Sequence, residues 1–311
     1  MKHEISRRKF VRTTMTAAAA ILTWEPLVSL CQAATASMLR RLDLGGDWQV
    51  SQVSKDNWLA ATVPGCVHTD LLAAEKIPDP FYRQSEKAVQ WVGESDWTYK
   101  RTFHVPDDVL KNDCILLHCE GLDTLATIKI NDREIGQANN MFRLWEYDLK
   151  PYLKAGDNFI EVTFESPFAY FKQKESDLPP AKWIKGRAWV RKEPCSFAWD
   201  WGPCLPSCGI WKKITLETFN GARIADLLVQ QTLDGIKKAT LDVQLEAELV
   251  GDSTKPMQAM VTVLAQGKTV AKKNWPSWQV LAADRWRSNI PSCGGRRAWA
   301  NSHYMKCMWN C

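Results

Sequence analysis

The apolar and polar positions of this chain alternate in short runs rather than recurring at helical spacing. Phe159-Ile160-Glu161-Val162-Thr163-Phe164-Glu165 alternates apolar with polar, the mark of a strand with one buried face. Ile210, Ile214 and Leu216 alternate with Trp211, Lys213, Thr215 and Glu217, which places those four on the solvent side. Ala126-Thr127-Ile128-Lys129-Ile130 runs into an Asn131-Asp132 turn, and Glu134-Ile135-Gly136 begins the return strand of a hairpin. One helical turn is predicted over Thr69–Ala74, with Thr69 as its cap. Farther on, Leu241, Val243, Leu245, Ala247 and Leu249 alternate with Asp242, Gln244, Glu246 and Glu248. Val261–Leu264 and Thr269–Ala271 flank Gln266-Gly267-Lys268 as a second hairpin. Short strands with frequent turns predict an all-β chain built of sandwiches.

Both ends of the sequence depart from this pattern. Ser6-Arg7-Arg8-Lys9-Phe10-Val11-Arg12 has the form of a twin-arginine export signal. A mild apolar stretch, Ala17–Leu22, and an Ala34-Thr35-Ala36 cleavage site follow it. Residues 1–36 are therefore expected to leave on export, and the remainder to be periplasmic or otherwise extracytoplasmic, with no membrane attachment. After Asn274 the alternation stops. Trp275, Trp278, Trp286, Trp299 and Trp309 crowd together with Arg296-Arg297, Gly294-Gly295 and three cysteines. Residues 274–311 read as out-of-frame translation, with a divergent natural terminus as the alternative.

The formal charge of +5 belongs to these ends. Residues 1–36 carry +3 and residues 274–311 carry +4, which leaves −2 for residues 37–273. With a near-neutral body, no basic stripe and no glycine-rich phosphate loop, nucleic acid is not an expected partner. Of the ten cysteines, Cys66, Cys114, Cys119, Cys195, Cys204 and Cys208 lie in the body. Cys204 and Cys208, with Cys195 near them, lack a second ligand pair at zinc spacing, so no metal or cofactor is expected. Small buried thiols and one bridge near Cys195 both remain open.

The densest candidate chemistry lies at Cys195-Ser196-Phe197-Ala198-Trp199-Asp200-Trp201-Gly202-Pro203. An indole face packs on the apolar face of a sugar ring, and a carboxylate accepts hydrogen bonds from sugar hydroxyls. Gly202-Pro203 is expected to turn the chain just after this motif. Against this stands a buried aromatic turn in which Asp200 caps local backbone.

These residues sit within a longer set: Leu44-Gly45-Gly46-Asp47-Trp48, Val63-Pro64-Gly65-Cys66-Val67-His68-Thr69-Asp70-Leu71-Leu72 and Ile77-Pro78-Asp79-Pro80-Phe81-Tyr82. Gln90-Trp91-Val92, Asp96-Trp97-Thr98-Tyr99, Gly121-Leu122-Asp123-Thr124, Asn140-Met141-Phe142-Arg143, Arg191-Lys192 and Gly209-Ile210-Trp211-Lys212 complete it. In this order, from about Leu42 to Thr218, the chain resembles the N-terminal region of the β-mannosidases of glycoside hydrolase family 2. The resemblance implies a jelly-roll sugar-binding domain over residues 37–218 and a partial immunoglobulin-like sandwich over residues 219–273. It also implies that Trp199 and Asp200 reach the pocket for a terminal β-mannosyl residue, so β-mannosides or mannose-containing oligosaccharides are the expected ligands.

Such enzymes hydrolyse with retention, using two glutamates in a (β/α)₈ barrel of about 250 residues. No part of the sequence resembles that barrel, so no catalytic residue is expected here. The alternatives are a stand-alone carbohydrate-binding module and a non-functional product of a frameshifted gene. Trp201 is a weaker ligand candidate that can instead brace the loop, and Arg191 a weaker one that can orient Asp200. Arg143 is expected in a structural ion pair. His68 and Asp70 have the look of a proton-transfer pair, but with no nucleophile beside them a capping and packing role is expected. Trp48, Trp91 and Trp97 are expected in the core.

Overall fold

The alternating segments do form strands, and they assemble into separate sheets. The computed structural model describes residues 39–174, 187–234, 238–250, 257–265, 268–278 and 296–299. The first 36 residues, the expected export signal, lie outside these. The described chain divides into two compact units, one running through Asn220 and one taking up at Gly221.

In the first unit the strands are β1 (Arg40–Asp43), β2 (Gly46–Gln52), β3 (Leu59–Val63), β4 (Trp97–Val105), β5 (Cys114–Cys119) and β6 (Leu125–Ile130). They continue as β7 (Arg133–Asn139), β8 (Trp145–Asp148), β9 (Gly156–Phe164), β10 (Phe197–Trp199), β11 (Gly202–Cys204) and β12 (Ile214–Phe219). β3-β2-β4-β9-β6-β7 form a six-stranded sheet and β1-β12-β5-β8 a four-stranded one. Every pairing within the two sheets is antiparallel. The connections cross between the sheets, as in a jelly roll. The two inner faces supply a single core: Val50, Tyr99, Ile128, Ile160, Val162 and Phe164 from one sheet, and Ile115, Leu117, Ile214 and Leu216 from the other, all nearly inaccessible. β9 buries Ile160, Val162 and Phe164 and turns Glu161 and Thr163 outward, as its alternation predicts.

The β6–β7 hairpin also forms as read. Asn131 and Asp132 take φ values of 48° and 65°, the left-handed pair that a two-residue hairpin turn needs. Asn131 is held by more than its turn. Its amide donates to Tyr152 O (3.0 Å) and Asn158 Oδ1 (2.8 Å), and its Oδ1 accepts from the Phe159 N–H (3.1 Å).

Four expectations need correction. The helix spans Val67–Ala73, two residues earlier than expected, and Cys66 is its N-cap. Thr69 sits in the first turn, where its hydroxyl receives the Cys66 N–H (3.3 Å) and donates to Cys66 O (2.7 Å). Glu217 is buried at 1 %, not solvated, because the outer face of the four-stranded sheet gives it charged partners. Trp91 is 37 % exposed, whereas Trp48 and Trp97 are core residues. It rides a short helix, Gln90–Gly93, and tilts against Trp97 with ring centroids 5.8 Å apart. Arg143 lies 4.8 Å over the Trp145 ring, so a cation–π contact replaces the expected ion pair.

The second unit is also built of strands. Its strands are β13 (Ala222–Asp234), β14 (Lys238–Leu249), β15 (Met257–Ala265), β16 (Lys268–Trp278) and β17 (Arg296–Trp299). β13 pairs with β14, and β15 with β16 around the expected second hairpin. Of the tail from residue 274, only residues 274–278 and 296–299 are described, and both stretches are strand. β17 pairs antiparallel with β14 over Glu246–Leu249, on the side away from β13. No helix among the described residues is long and apolar enough to cross a membrane.

Candidate functional site

The Trp-Asp-Trp motif is the tip of a two-stranded hairpin. Trp199 on β10 pairs with Gly202 on β11, which leaves Asp200 and Trp201 as the turn. The turn therefore precedes Gly202-Pro203, contrary to expectation. Pro203 is tolerated within β11 because the ribbon is only two strands wide, and an outer position there costs no ladder hydrogen bond. Trp199 is 45 % and Trp201 79 % exposed, with ring centroids 5.5 Å apart and planes at 49°. The Arg187 guanidinium lies 5.5 Å over the Trp199 ring. Asp200 is exposed between the two indoles, and among the described residues its carboxylate has no hydrogen bond or ion pair. Large aromatics beside a free carboxylate, held out of the core, are the opposite of a buried aromatic turn.

The base of the hairpin is as ordered as its tip is open. Phe197 packs its ring against Phe171 (5.3 Å) and Phe168 (6.0 Å) of the helix Pro167–Lys174. Gln90 donates to Cys204 O (2.8 Å), and the Cys204 N–H donates to Glu86 Oε1 (2.7 Å). The Leu205 N–H returns to Ser196 O (2.9 Å), closing the loop across its neck. Gly93 leaves room for this exit strand, since a Cβ there would lie 2.6 Å from Pro206 Cγ.

Beneath the neck lies a buried ion pair. The Lys192 ammonium, 1 % exposed, bonds Asp123 Oδ2 and donates to Ser207 O at 2.9 Å. Lys192 thus ties the entry of the loop to its exit and ties both to the sheet region at Asp123. Burial pushes the Asp123 carboxyl up, while Lys192 and the Thr124 hydroxyl, which donates to it, pull it back. Arg191, next in sequence, joins differently. Among the described residues its exposed side chain forms no hydrogen bond or ion pair with Asp200, and the residue contributes its carbonyl to the Met141 N–H (3.0 Å). The buried cation at the neck of the loop is Lys192, whose partners are Asp123 and Ser207 O. Lys192 and Asp123 lay within the motifs noted above but carried no assigned role. Nothing in their spacing in the sequence brings them together.

His68 and Asp70 do not face each other as acid and base. Asp70 accepts from the Tyr99 hydroxyl (2.7 Å) and the Thr62 N–H (3.0 Å), pinning the helix Val67–Ala73 to β3 and β4. His68 is buried, its Nδ1 without a hydrogen-bond partner among the described residues, and burial, aided by the nearby Lys192 charge, pulls its pKa down to about 4. The six cysteines of the body are all free thiols, with Cys114, Cys119 and Cys208 buried and Cys195 exposed.

Residues 48–212 match the family described as glycosyl hydrolase 2 galactose-binding domain-like. The chain is similar to β-mannosidase of Bos taurus, with 32 % identity over 250 residues that make up 76 % of this chain and 28 % of that one. Its likeness to β-mannosidase B of Emericella nidulans is 34 % over 228 residues, 71 % of this chain and 27 % of the other. In structure it resembles the β-D-mannosidase of Dictyoglomus thermophilum, with a TM-score of 0.70 and 33 % identity, covering 84 % of this chain and 30 % of that one. The chain thus spans under a third of the length of these relatives.

Proposed function

Because the chain belongs to the glycosyl hydrolase 2 galactose-binding domain-like family, we propose that it is the glycone-gripping N-terminal part of a β-mannosidase. The observation that carries this reading is the hairpin tip, where the unpaired Asp200 carboxylate stands between two exposed indoles on a clamped base. In the proposed role Trp199 walls the pocket of a terminal β-mannosyl residue, and Asp200 accepts hydrogen bonds from its hydroxyls. Trp201, the more exposed indole, extends the same wall. These residues bind and orient; proton and nucleophile chemistry belong to the paired carboxylates of retaining hydrolysis. Likewise we propose delivery to an extracytoplasmic compartment, supported by Arg7 and Arg8. Exchange of both arginines for lysine then strands a reporter fusion in the cytoplasm, and undiminished export refutes that part.

A hairpin tip alone offers a monosaccharide few contacts, so the chain binds methyl β-mannoside with a Kd of about millimolar or weaker, roughly −4 kcal/mol. The decisive measurement is kinetic, in a full-length relative carrying the same loop. Alanine at the position equivalent to Asp200 lowers kcat/KM by about 10²-fold, since hydrogen bonds to a charged acceptor contribute about 1.5–3 kcal/mol each. Alanine at the position equivalent to Trp199 chiefly raises KM. A value of kcat/KM within about twofold of the parent for the Asp200 equivalent would reduce the tip to a surface turn.

A further inference from the structure

The outer face of the four-stranded sheet carries a second set of ligating side chains, on strands that take no part in the hairpin. Strands β12, β5 and β8 lie side by side, and present Glu217, His118 and Glu146. His118 stands directly opposite Glu146 on one flank and Thr215 on the other. Directly opposite residues of an antiparallel pair share a face. Glu217, two positions beyond Thr215, shares it too.

His118 Nδ1 is 3.0 Å from Glu146 Oε1 and 3.9 Å from Glu217 Oε1, and the ligand atoms of all three residues lie within 4.8 Å of one another. A tetrahedral ion with bonds of about 2.1 Å sets its donors about 3.4 Å apart, and the two distances straddle that spacing. The side chains are 16 %, 11 % and 2 % exposed, so they are already withdrawn from most of the water that competes for a cation.

Two further groups border the cluster. Arg41 Nε donates to Glu217 Oε1 at 2.5 Å, an ion pair that fixes the orientation of this carboxylate. Thr215, directly across from His118, has a buried hydroxyl oxygen with no hydrogen-bond partner among the described residues. An ion's water ligand would give it one. Among the described residues, no other three His, Cys, Asp or Glu side chains bring ligand atoms this close.

We propose that His118, Glu146 and Glu217 form a binding site for one divalent transition-metal ion, zinc by ligand type, with a water held by Thr215 in the fourth position. One imidazole and two carboxylates leave a position open, which is the ligand count of a zinc site that keeps water. The inference does not rest on the sugar-binding role of the hairpin.

The test uses the full chain, stripped with a chelator and then titrated calorimetrically with Zn²⁺ alone and spectroscopically with Co²⁺ alone. The site takes up one equivalent at micromolar affinity or better. Its Co²⁺ form shows visible ligand-field bands without the near-ultraviolet charge-transfer band of a thiolate. His118→Gln and Glu146→Gln each weaken binding by about tenfold or more, while Cys195→Ser leaves it unchanged. Absence of saturable binding, a thiolate band, or binding indifferent to both glutamine variants overturns the proposal. Should a variant fail to fold, the wild-type Co²⁺ spectrum still decides, because it separates nitrogen and oxygen ligands from the ten cysteines.

Discussion

His68 carries the clearest pH consequence at the level of single residues. Its pKa falls from the ordinary 6.5 to about 4, with burial as the larger cause and the Lys192 charge as the smaller. A depressed folded-state pKa means that its stabilising contribution is in place above pH 6.5 and is lost as the pH falls toward 4. In that window the unfolded chain takes up a proton that the folded chain refuses. The gap corresponds to about 3 kcal/mol of stability. Denaturation midpoints followed from pH 7 to 4 should therefore fall less steeply in His68→Gln. In Lys192→Met the imidazole should titrate higher than in the wild type, yet still below a free histidine, because burial persists. An NMR titration of His68 near the free value in the wild-type chain would contradict both expectations. The exclusion of His68 and Asp70 from proton transfer was legible, because no nucleophile accompanied them. The ion pair of Lys192 with Asp123 was not, since a buried lysine leaves no trace in local periodicity.

Among the elements, the hairpin joining β6 and β7 separates two kinds of turn chemistry. Asp132 sits at φ 65°, a conformation that costs an ordinary side chain about 1 kcal/mol and glycine nothing. Asp132→Gly should therefore raise stability slightly, by up to about 1 kcal/mol. Asn131 also lies in the left-handed region, but three hydrogen bonds pass through its side chain. Asn131→Ala should cost about 2 kcal/mol or more, since it removes three hydrogen bonds and takes the side-chain acceptor from the Phe159 N–H. Urea unfolding of both variants checks the pair, and equal effects would show that the turn alone matters. This hairpin was readable because strand alternation and turn chemistry agree there. The start of the helix Val67–Ala73 was misread by two residues, because a cysteine is a weak N-cap signal whereas threonine is a strong one. The backbone instead uses Thr69 within the first turn. The Trp199–Trp201 turn was displaced for a related reason: Gly202-Pro203 is turn-like in composition, yet the ribbon closes one pair earlier.

For the whole molecule, alternation delivered the all-β class and the inward faces of most strands, but not what covers the outward ones. Glu217 occupies a position of solvent parity, yet Arg41 and His118 draw it out of water. Pairing across three strands is a tertiary fact that no single strand encodes. The same layering has a chemical consequence for the buried thiols. Cys119 and Cys208 lie within the sandwich core, and burial raises both thiols well above the ordinary thiol value. A thiolate is the reactive form, so neither sulfur meets an alkylating reagent until the sheets part. Cys195, already exposed, reacts from the start. Alkylation of the native chain should therefore be fast at Cys195 and slow at Cys119 and Cys208, where it follows opening of the fold. Peptide mass mapping over time tests this, and modification of Cys208 as rapid as that of Cys195 would rule it out. The slow reaction makes the chain its own stopwatch: the lifetime of the closed sandwich can be timed by the arrival of mass at two sulfur atoms, in dilute buffer without denaturant.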